Sequence, residues 1–232
     1  MTERGMIFNA EMVRALLSGR KTQTRRIMKP QPEPCPRGGH WWPSNVFKTM
    51  LHVEDEMQNG KGGWGGLVGD ACPFGAVGDR IWVRETWGVV SHAFSDDGLM
   101  IDWVPDRPAT AIHEMPFGNG YYSGYAIYAA DGDFTWGDDD GYEDGRSCWK
   151  PSIHMPRAAS RILLEITDVR VERLRSMSQD DARAEGVIAA SGPMEAGLAF
   201  RELWDSIYGE ESWKANPWVW VIKFKRIEEL TA

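Results

Sequence analysis

The chain has 232 residues, of which 42% are hydrophobic and 26% are charged, and its formal net charge is −8. It is long enough to bury a substantial core. No apolar run approaches membrane-spanning length and the first residues show no signal pattern, so we expect a cytoplasmic protein that does not enter a membrane. Three cysteines, Cys35, Cys72 and Cys148, cannot form a closed set of disulfides and fit a reducing compartment.

The negative charge is concentrated in one part of the chain. Residues 88–150 contain twelve acidic and three basic side chains, whereas the remainder contains 22 acidic and 23 basic ones. Residues 1–40 contain eight basic and three acidic side chains, so the N-terminal part is locally positive. Because charges act over roughly a Debye length of about 10 Å, the acidic total does not exclude a polyanionic ligand.

The first predicted element is a helix over residues 10–18, capped by Asn9 and ended by Gly19. Its apolar stripe contains Met12, Val13, Leu16 and Leu17. Residues 30–77 are rich in Pro and Gly, which predicts a long, mostly irregular loop of the kind that often carries function.

The middle of the chain begins with a turn at Gly78-Asp79, followed by a predicted strand from Arg80. Residues 88–147 form an acidic, Gly- and Tyr-rich insertion with one predicted strand at Tyr125–Ala130. Asp138-Asp139-Asp140 lacks the ligand spacing of a calcium loop, so we interpret it as a solvated loop and not as a metal site.

The C-terminal part has sharper patterns. Residues 162–174 alternate as a strand with a slip near Asp168, and Ser178 with Asp181 predicts a capped helix that runs to Glu185. A second helix is predicted over residues 194–208, and a strand over residues 218–227. The inward face of that helix is predicted to contain Leu198, Phe200, Leu203, Trp204 and Ile207. This order predicts an α+β fold with a mostly antiparallel sheet or small barrel.

Residues 19–26, Gly-Arg-Lys-Thr-Gln-Thr-Arg-Arg, are the strongest candidate for a site, and we call them the octet. They follow directly on a helix and combine a lysine, two threonines and three arginines. The spacing Gly19-x-Lys21-x-x-x-x-Arg26 resembles the signature of ASCH domains, the bacterial and phage branch of the PUA-like superfamily. Residues 148–161 resemble a block of large prophage-encoded members, which tend to carry tryptophan where this chain has Ala158.

This resemblance covers the two ends of the chain well and residues 30–77 and 88–147 poorly. It implies one domain over residues 1–232, with a PUA-like small β-barrel, flanking helices and a cleft for RNA or modified nucleosides. Some small members are amidohydrolases that deacylate N4-acetylcytidine with lysine, threonine and glutamate. Lys21, Thr24 and Glu185 stand at the matching positions, and no cofactor is implied.

The chemistry of amide hydrolysis assigns a role to each of these three residues. Thr24 could be the nucleophile and Lys21 its base, if the pKa of Lys21 falls toward neutrality. Glu185 would oppose that fall, so its better role is to orient Lys21 or bind the substrate's amino group. In a fully extended segment Lys21 and Thr24 face opposite sides, so the mechanism requires a turn or a lysine that reaches around.

Further residues are candidates for nucleotide or RNA binding: Arg20, Arg25, Arg26, Trp82, Glu85, Trp87, Trp149, His154 and Arg157. Glu85 could replace Glu185 as the acidic partner, although an edge-strand ion pair with Arg84 or Arg80 is the simpler interpretation. A zinc site is only weakly indicated, because the candidate ligands are irregularly spaced: Cys35, His40, His52 and Cys72. We predict no metal.

Three functions stay open at this point. The first is recognition of a nucleoside with hydrolysis of an N4-acylcytidine-type amide, and the second is recognition of RNA or a modified base without turnover. The third is a phage interaction protein whose acidic insertion meets a basic protein partner.

Overall fold

The computed structural model describes residues 1–58, 67–136, 147–188 and 195–227. The described strands are β1 Glu3–Ile7, β2 Gln23–Ile27, β3 Glu33–Pro34, β4 His40–Ser44, β5 Thr49–His52, β6 Arg80–Arg84, β7 Trp87–Val90, β8 His92–Phe94, β9 Met100–Asp102, β10 Thr110–Phe117, β11 Gly120–Tyr128, β12 Leu163–Arg173 and β13 Trp218–Ile227. The described α-helices are α1 Ala10–Leu17, α2 Val68–Ala71, α3 Gln179–Ala184, α4 Glu195–Tyr208 and α5 Glu210–Ala215.

The fold is α+β with mostly antiparallel sheets, as predicted. The largest sheet has the strand order β1-β6-β12-β13-β2, and β13 pairs with β2 in antiparallel register. Smaller sheets have the orders β10-β11-β7, β3-β4-β5 and β8-β9. Within the described residues no pairing closes the largest sheet into a barrel.

The chain separates into two compact units. The first unit comprises Met1–Arg4, Ala15–Ile81 and Leu164–Ala232, and the second comprises Gly5–Arg14 and Trp82–Leu163. No described helix is long and apolar enough to cross a membrane. The prediction of a single domain over residues 1–232 stays a prediction.

The core of the first unit includes one face of α4 packed with β13. Ala196, Phe200 and Trp204 recur every four residues along α4, so they lie on one side of the helix and are buried with Val219 and Val221. Two residues that we expected on this face, Leu198 and Ile207, are 61% and 44% exposed, so that part of the prediction was wrong. The strict four-residue spacing leaves both of them on the outer side.

The described parts of both poorly patterned segments contain short strands. Within residues 30–77, β3, β4 and β5 form an antiparallel sheet, so the expected irregular loop is in part a small sheet. Within residues 88–147, the single predicted strand at Tyr125–Ala130 corresponds to β11, which begins at Gly120 and ends at Tyr128. Strand β11 pairs with β10 and β7 over a core that contains Trp87, Tyr128 and Met155.

Candidate functional site

The octet leaves α1 through Gly19 and continues as extended chain into β2. Gly19 has φ +74°, a left-handed conformation that suits glycine at a helix end, and its N–H donates to the Leu16 carbonyl at 3.1 Å. Lys21 then forms an antiparallel bridge with Glu185, and the N–H of Thr22 donates to the Ala184 carbonyl at 2.8 Å. The octet is therefore hydrogen-bonded along the end of α3.

Helix α3 forms as the sequence predicts. Ser178 is its N-cap, and its hydroxyl accepts from the Asp181 N–H while the Asp181 carboxylate accepts from the Ser178 N–H. This reciprocal pair is a capping box, which satisfies N–H groups that a helix start leaves open. The helix ends at Glu185 and Gly186, so its first turn carries Asp181 and its end presents Glu185 to the octet.

Lys21 and Glu185 form a buried ion pair. The Lys21 Nζ is 3.0 Å from Glu185 Oε2 and donates to the Glu185 carbonyl at 2.9 Å. The two side chains are 0% and 2% exposed. Burial lowers the pKa of Lys21 although the Glu185 carboxylate acts in the opposite direction. The expected contact between these two residues is therefore present, and the direction of the lysine shift is the one that a general base requires.

Arg25 belongs to the same buried cluster. Its Nη1 donates to Glu185 Oε1 at 2.8 Å and its Nη2 to Glu172 Oε1 at 2.6 Å. The Arg25 side chain is fully buried, and its guanidinium also lies 5.7 Å from the centre of the Phe200 ring. Arg25 therefore ties β2 to α3 and β12, and its charge is neutralised inside the protein instead of facing a phosphate.

Thr24 lies on the other side of β2. Gln23 and Arg25 both contact α3 or Glu185, and side chains alternate along a strand, so Thr24 points away from them. Thr24 is buried and pairs with Ile222 of β13. The structure thus brings Lys21 and Glu185 together and leaves Thr24 on the opposite face, which is the arrangement expected of an extended octet.

A groove lies beside the buried cluster in the first unit, with a volume of about 680 Å³. Its lining comes from the octet, β12, helix α3 with its N-cap, and β13. It consists of Thr22, Gln23, Thr167, Asp168, Arg170, Glu172, Ser178, Asp180, Asp181, Ala184, Lys223 and Phe224. Most of these side chains carry hydrogen-bonding groups, so the groove suits a small polar ligand.

Four carboxylates and two cationic groups line this groove. Arg170 contacts two of the carboxylates, Glu172 Oε2 at 3.2 Å and Asp181 Oδ1 at 2.6 Å. Burial would raise the pKa of Asp181, but hydrogen bonds from Ser178 and the charge of Arg170 hold that pKa well below its usual range. The lining is therefore acidic overall at neutral pH, which disfavours a ligand that presents phosphate groups to it.

The remaining arginines of the octet have different positions. Arg20 is exposed, and its guanidinium donates to Ser18 Oγ at 3.1 Å and to the Gly186 carbonyl at 3.0 Å. Arg26 is half-buried. Arg20 is therefore the most accessible of the four cationic side chains of the octet.

The other predicted binding residues belong to the second unit, whereas the octet belongs to the first. Trp87 is fully buried in that unit's core, so its ring presents no face to a base. Trp82 is half-buried beside Arg84, and Trp149 is half-buried with its ring centre 5.2 Å from that of Trp136. His154 is exposed.

Glu85 has a partner that the sequence did not indicate. Its two carboxylate oxygens each accept from Arg161 at 3.0 Å, and Arg161 also donates to Asp131 at 2.7 Å. Burial raises the pKa of Glu85 in spite of Arg161. The expected edge-strand pair with Arg84 or Arg80 is wrong, because β6 is an inner strand and the bidentate Arg161 occupies the carboxylate.

Arg157 is half-buried in a short 3₁₀ helix, Arg157–Ala159.

Metal binding finds no support in the described ranges. Among the described residues no group of three histidine, cysteine or carboxylate side chains is arranged to hold a metal ion. His40 Nδ1 lies 2.6 Å from Glu54 Oε1 instead, and burial raises the pKa of the Cys72 thiol to about 11. Asp138-Asp139-Asp140 lies outside the described residues.

No model of a known protein family matches this chain, and neither does any curated protein sequence or solved structure. The ASCH assignment therefore stays a prediction from the octet and the C-terminal patterns.

Proposed function

We propose that this chain is an ASCH-type, PUA-like protein that binds a nucleobase or nucleoside in the groove beside the octet. The observation that carries the proposal is the composition of the lining, in which hydroxyl, amide, carboxylate and cationic groups converge on a cavity of about 680 Å³. A nucleobase edge alternates donors and acceptors, so it can pair with such a lining. The acidic balance favours an uncharged nucleoside over a phosphate-rich strand.

A groove-filling variant tests this proposal. Thr167 is an exposed strand residue that lines the groove, whereas Thr49 is an exposed strand residue that does not. In calorimetric titrations with cytidine, uridine, adenosine and guanosine, we expect binding by the parent and by Thr49→Trp, and loss of binding by Thr167→Trp. Equal binding by both variants, or no binding by the parent, would contradict the proposal.

Salt dependence separates a nucleoside from an RNA ligand. Contacts to phosphates release counterions, so affinity for a single-stranded RNA oligonucleotide would fall steeply with salt concentration. We expect nucleoside affinity to change little between low and physiological salt, because the groove holds the base instead of the backbone. Tight RNA binding with a steep salt slope would favour the polymer as ligand.

A second candidate is hydrolysis of an N4-acylcytidine, in which water and the amide give cytidine and a carboxylate. The observation in its favour is the Lys21 amine, whose pKa is lowered and which contacts Glu185 at 3.0 Å. Thr24 would have to act from the opposite face of β2, which is the weak point of this mechanism. The ultraviolet spectrum of N4-acetylcytidine reports turnover directly.

Thr24→Val is the most informative variant for hydrolysis. It removes the hydroxyl, keeps the branched shape and leaves the buried ion pairs intact. If the chain is a hydrolase that uses Thr24, turnover disappears while the urea midpoint of unfolding stays close to that of the parent. Turnover retained by Thr24→Val would exclude this nucleophile, and no turnover by the parent would exclude the hydrolase.

A further inference from the structure

Gln23 is a buried residue of the groove whose amide is only half satisfied. Its Nε2 donates to the Asp181 carbonyl and to Asp181 Oδ1, each at 3.2 Å. Its Oε1 is buried and has no hydrogen-bond partner among the described residues. Gln23 is 0% exposed, and it is one of the residues that line the groove. Because buried acceptors are nearly always paired in folded proteins, this oxygen lacks a partner that such groups normally have.

The orientation of this amide follows from its surroundings. Turning it by half a revolution would set Oε1 against two oxygens of Asp181, one a carbonyl and one a carboxylate. The carboxylate is ionised at neutral pH, because hydrogen bonds from Ser178 and the nearby Arg170 hold its pKa low against the effect of burial. Both oxygens can therefore only accept, so the NH₂ group must face them and Oε1 must point away from Asp181.

The residues around Gln23 restrict the ligand further. Asp168, Glu172, Asp180 and Asp181 outnumber the cationic groups of the lining, which are Arg170 and Lys223. An unpaired acceptor in an acidic lining favours a ligand that brings hydrogen-bond donors. It disfavours a ligand that brings only oxygen acceptors to this position.

We propose that Gln23 Oε1 accepts a hydrogen bond from the exocyclic amino group of the bound base, so that Gln23 determines specificity for amino-bearing nucleosides. This inference rests on the proposed function of the groove. Gln23 acts through binding alone and takes no part in a covalent step.

Pairs of nucleosides that differ only in the amino group test this inference. Cytidine is compared with 2-pyrimidinone riboside, and adenosine with purine riboside, since each second member lacks the amino group and adds no bulk. We expect the parent protein to bind the amino-bearing member at least about tenfold more tightly in one or both pairs, because the analogue without the amino group leaves Gln23 Oε1 unpaired.

The matched variants are Gln23→Leu and Gln58→Leu. Gln58 also donates through Nε2 to backbone carbonyls, those of Val53 and Val171, but it does not line the groove. We expect Gln23→Leu to reduce the preference within each pair to less than about twofold and Gln58→Leu to keep the parent's preference, because only the first variant removes the acceptor.

The outcomes are distinguishable. Equal affinities within both pairs for the parent overturn the inference and leave nucleoside binding intact, and so does a preference that survives Gln23→Leu. Binding of none of the four nucleosides overturns the proposed function and the inference together. The inference stays falsifiable even if Gln23→Leu does not fold, because equal affinities within both pairs for the parent already overturn it.

Discussion

Glu185 is the residue that holds the buried cluster of the first unit together. One oxygen of its carboxylate contacts Lys21 and the other contacts Arg25, so a single acidic group bridges two cations that are both fully buried, and Arg25 has Glu172 as a second partner. Removing one partner of a buried pair leaves a charge without compensation, which costs far more than the pair itself contributes. Glu185 is therefore a structural residue whatever its role in binding.

We expect Glu185→Ala to lower the free energy of unfolding by about 3–5 kcal/mol, because it leaves the buried Lys21 without its carboxylate partner and leaves Arg25 with only its contacts to Glu172 and Asp181. Glu211→Ala is the control, since the Glu211 side chain is 88% exposed and pairs with Lys214 at the surface. Urea denaturation monitored by tryptophan fluorescence measures both. Similar midpoints for the two variants would show that the cluster is not structural. If Glu185→Ala does destabilise the fold, lost activity in Lys21 or Glu185 variants is not by itself evidence for catalysis.

The sequence predicted part of this cluster. The family resemblance implied that Lys21 and Glu185 act together, and the two residues are in contact although they are 164 positions apart in the chain. The alternation of side chains also allowed for Thr24 on the far side. The roles of Gln23, Arg25, Glu172 and Asp181 were missed, because a strand's inward face is identified only once its partner element is known. The even spacing of residues 21, 23 and 25 is the signal that could have found them.

At the scale of elements, the octet and the end of α3 meet at Gly186. This residue has φ +90°, and a Cβ placed on it would lie 2.7 Å from Ala15 Cβ and 2.8 Å from Lys21 Cβ. Gly186 therefore meets two requirements at once, a left-handed backbone that ends α3 and a close approach of three chain segments. Gly19 shares the left-handed backbone, with φ +74°, but a Cβ there would meet nothing within 4 Å.

These two glycines provide a matched pair of variants. We expect Gly19→Ala to lower the free energy of unfolding by about 1–2 kcal/mol, from the backbone conformation alone. Gly186→Ala should cost a further ~1–3 kcal/mol, because the added methyl group overpacks against Ala15 and Lys21. Urea midpoints of the two variants decide the matter, and equal losses would mean that the close approach at Gly186 relaxes without cost.

Elements with a strong local pattern were the ones that could be predicted from the sequence. The periodic stripe of α1, the capping box of α3 and the alternation of β13 depend on residues close together in the chain, so their bounds agree within a residue or two. The strands β3 to β5 and β7 to β10 depend on pairing, and several carry Pro, Gly or charged residues that are unfavourable in isolated strands. Their stability comes from neighbours, which the sequence does not identify.

At the scale of the whole molecule, the carboxylates with shifted pKa values differ in direction between the two units. Glu54, Asp79 and Asp181 in the first unit all have lowered pKa values, in each case because hydrogen bonds and cations outweigh the effect of burial. Glu85 in the second unit has a raised pKa, because burial outweighs Arg161. A carboxylate with a lowered pKa stabilises the folded state above its unfolded pKa, near 4, and that contribution is lost as the pH falls. A raised pKa has the reverse effect, since protonation then favours the folded state.

We therefore expect the opening free energy of the first unit to fall from about pH 5 toward about pH 3, more steeply than that of the second unit. Hydrogen–deuterium exchange, corrected for the intrinsic rate at each pH, measures this in peptides from β2 and α3 against peptides from β10 and β11. Asp181→Asn keeps an acceptor for the Ser178 N–H but removes one of the three titrating groups, so it should make the pH dependence of the first unit less steep and leave that of the second unchanged. A parallel loss of protection in both units, or the parent's slope in Asp181→Asn, would show that these carboxylates do not control acid stability.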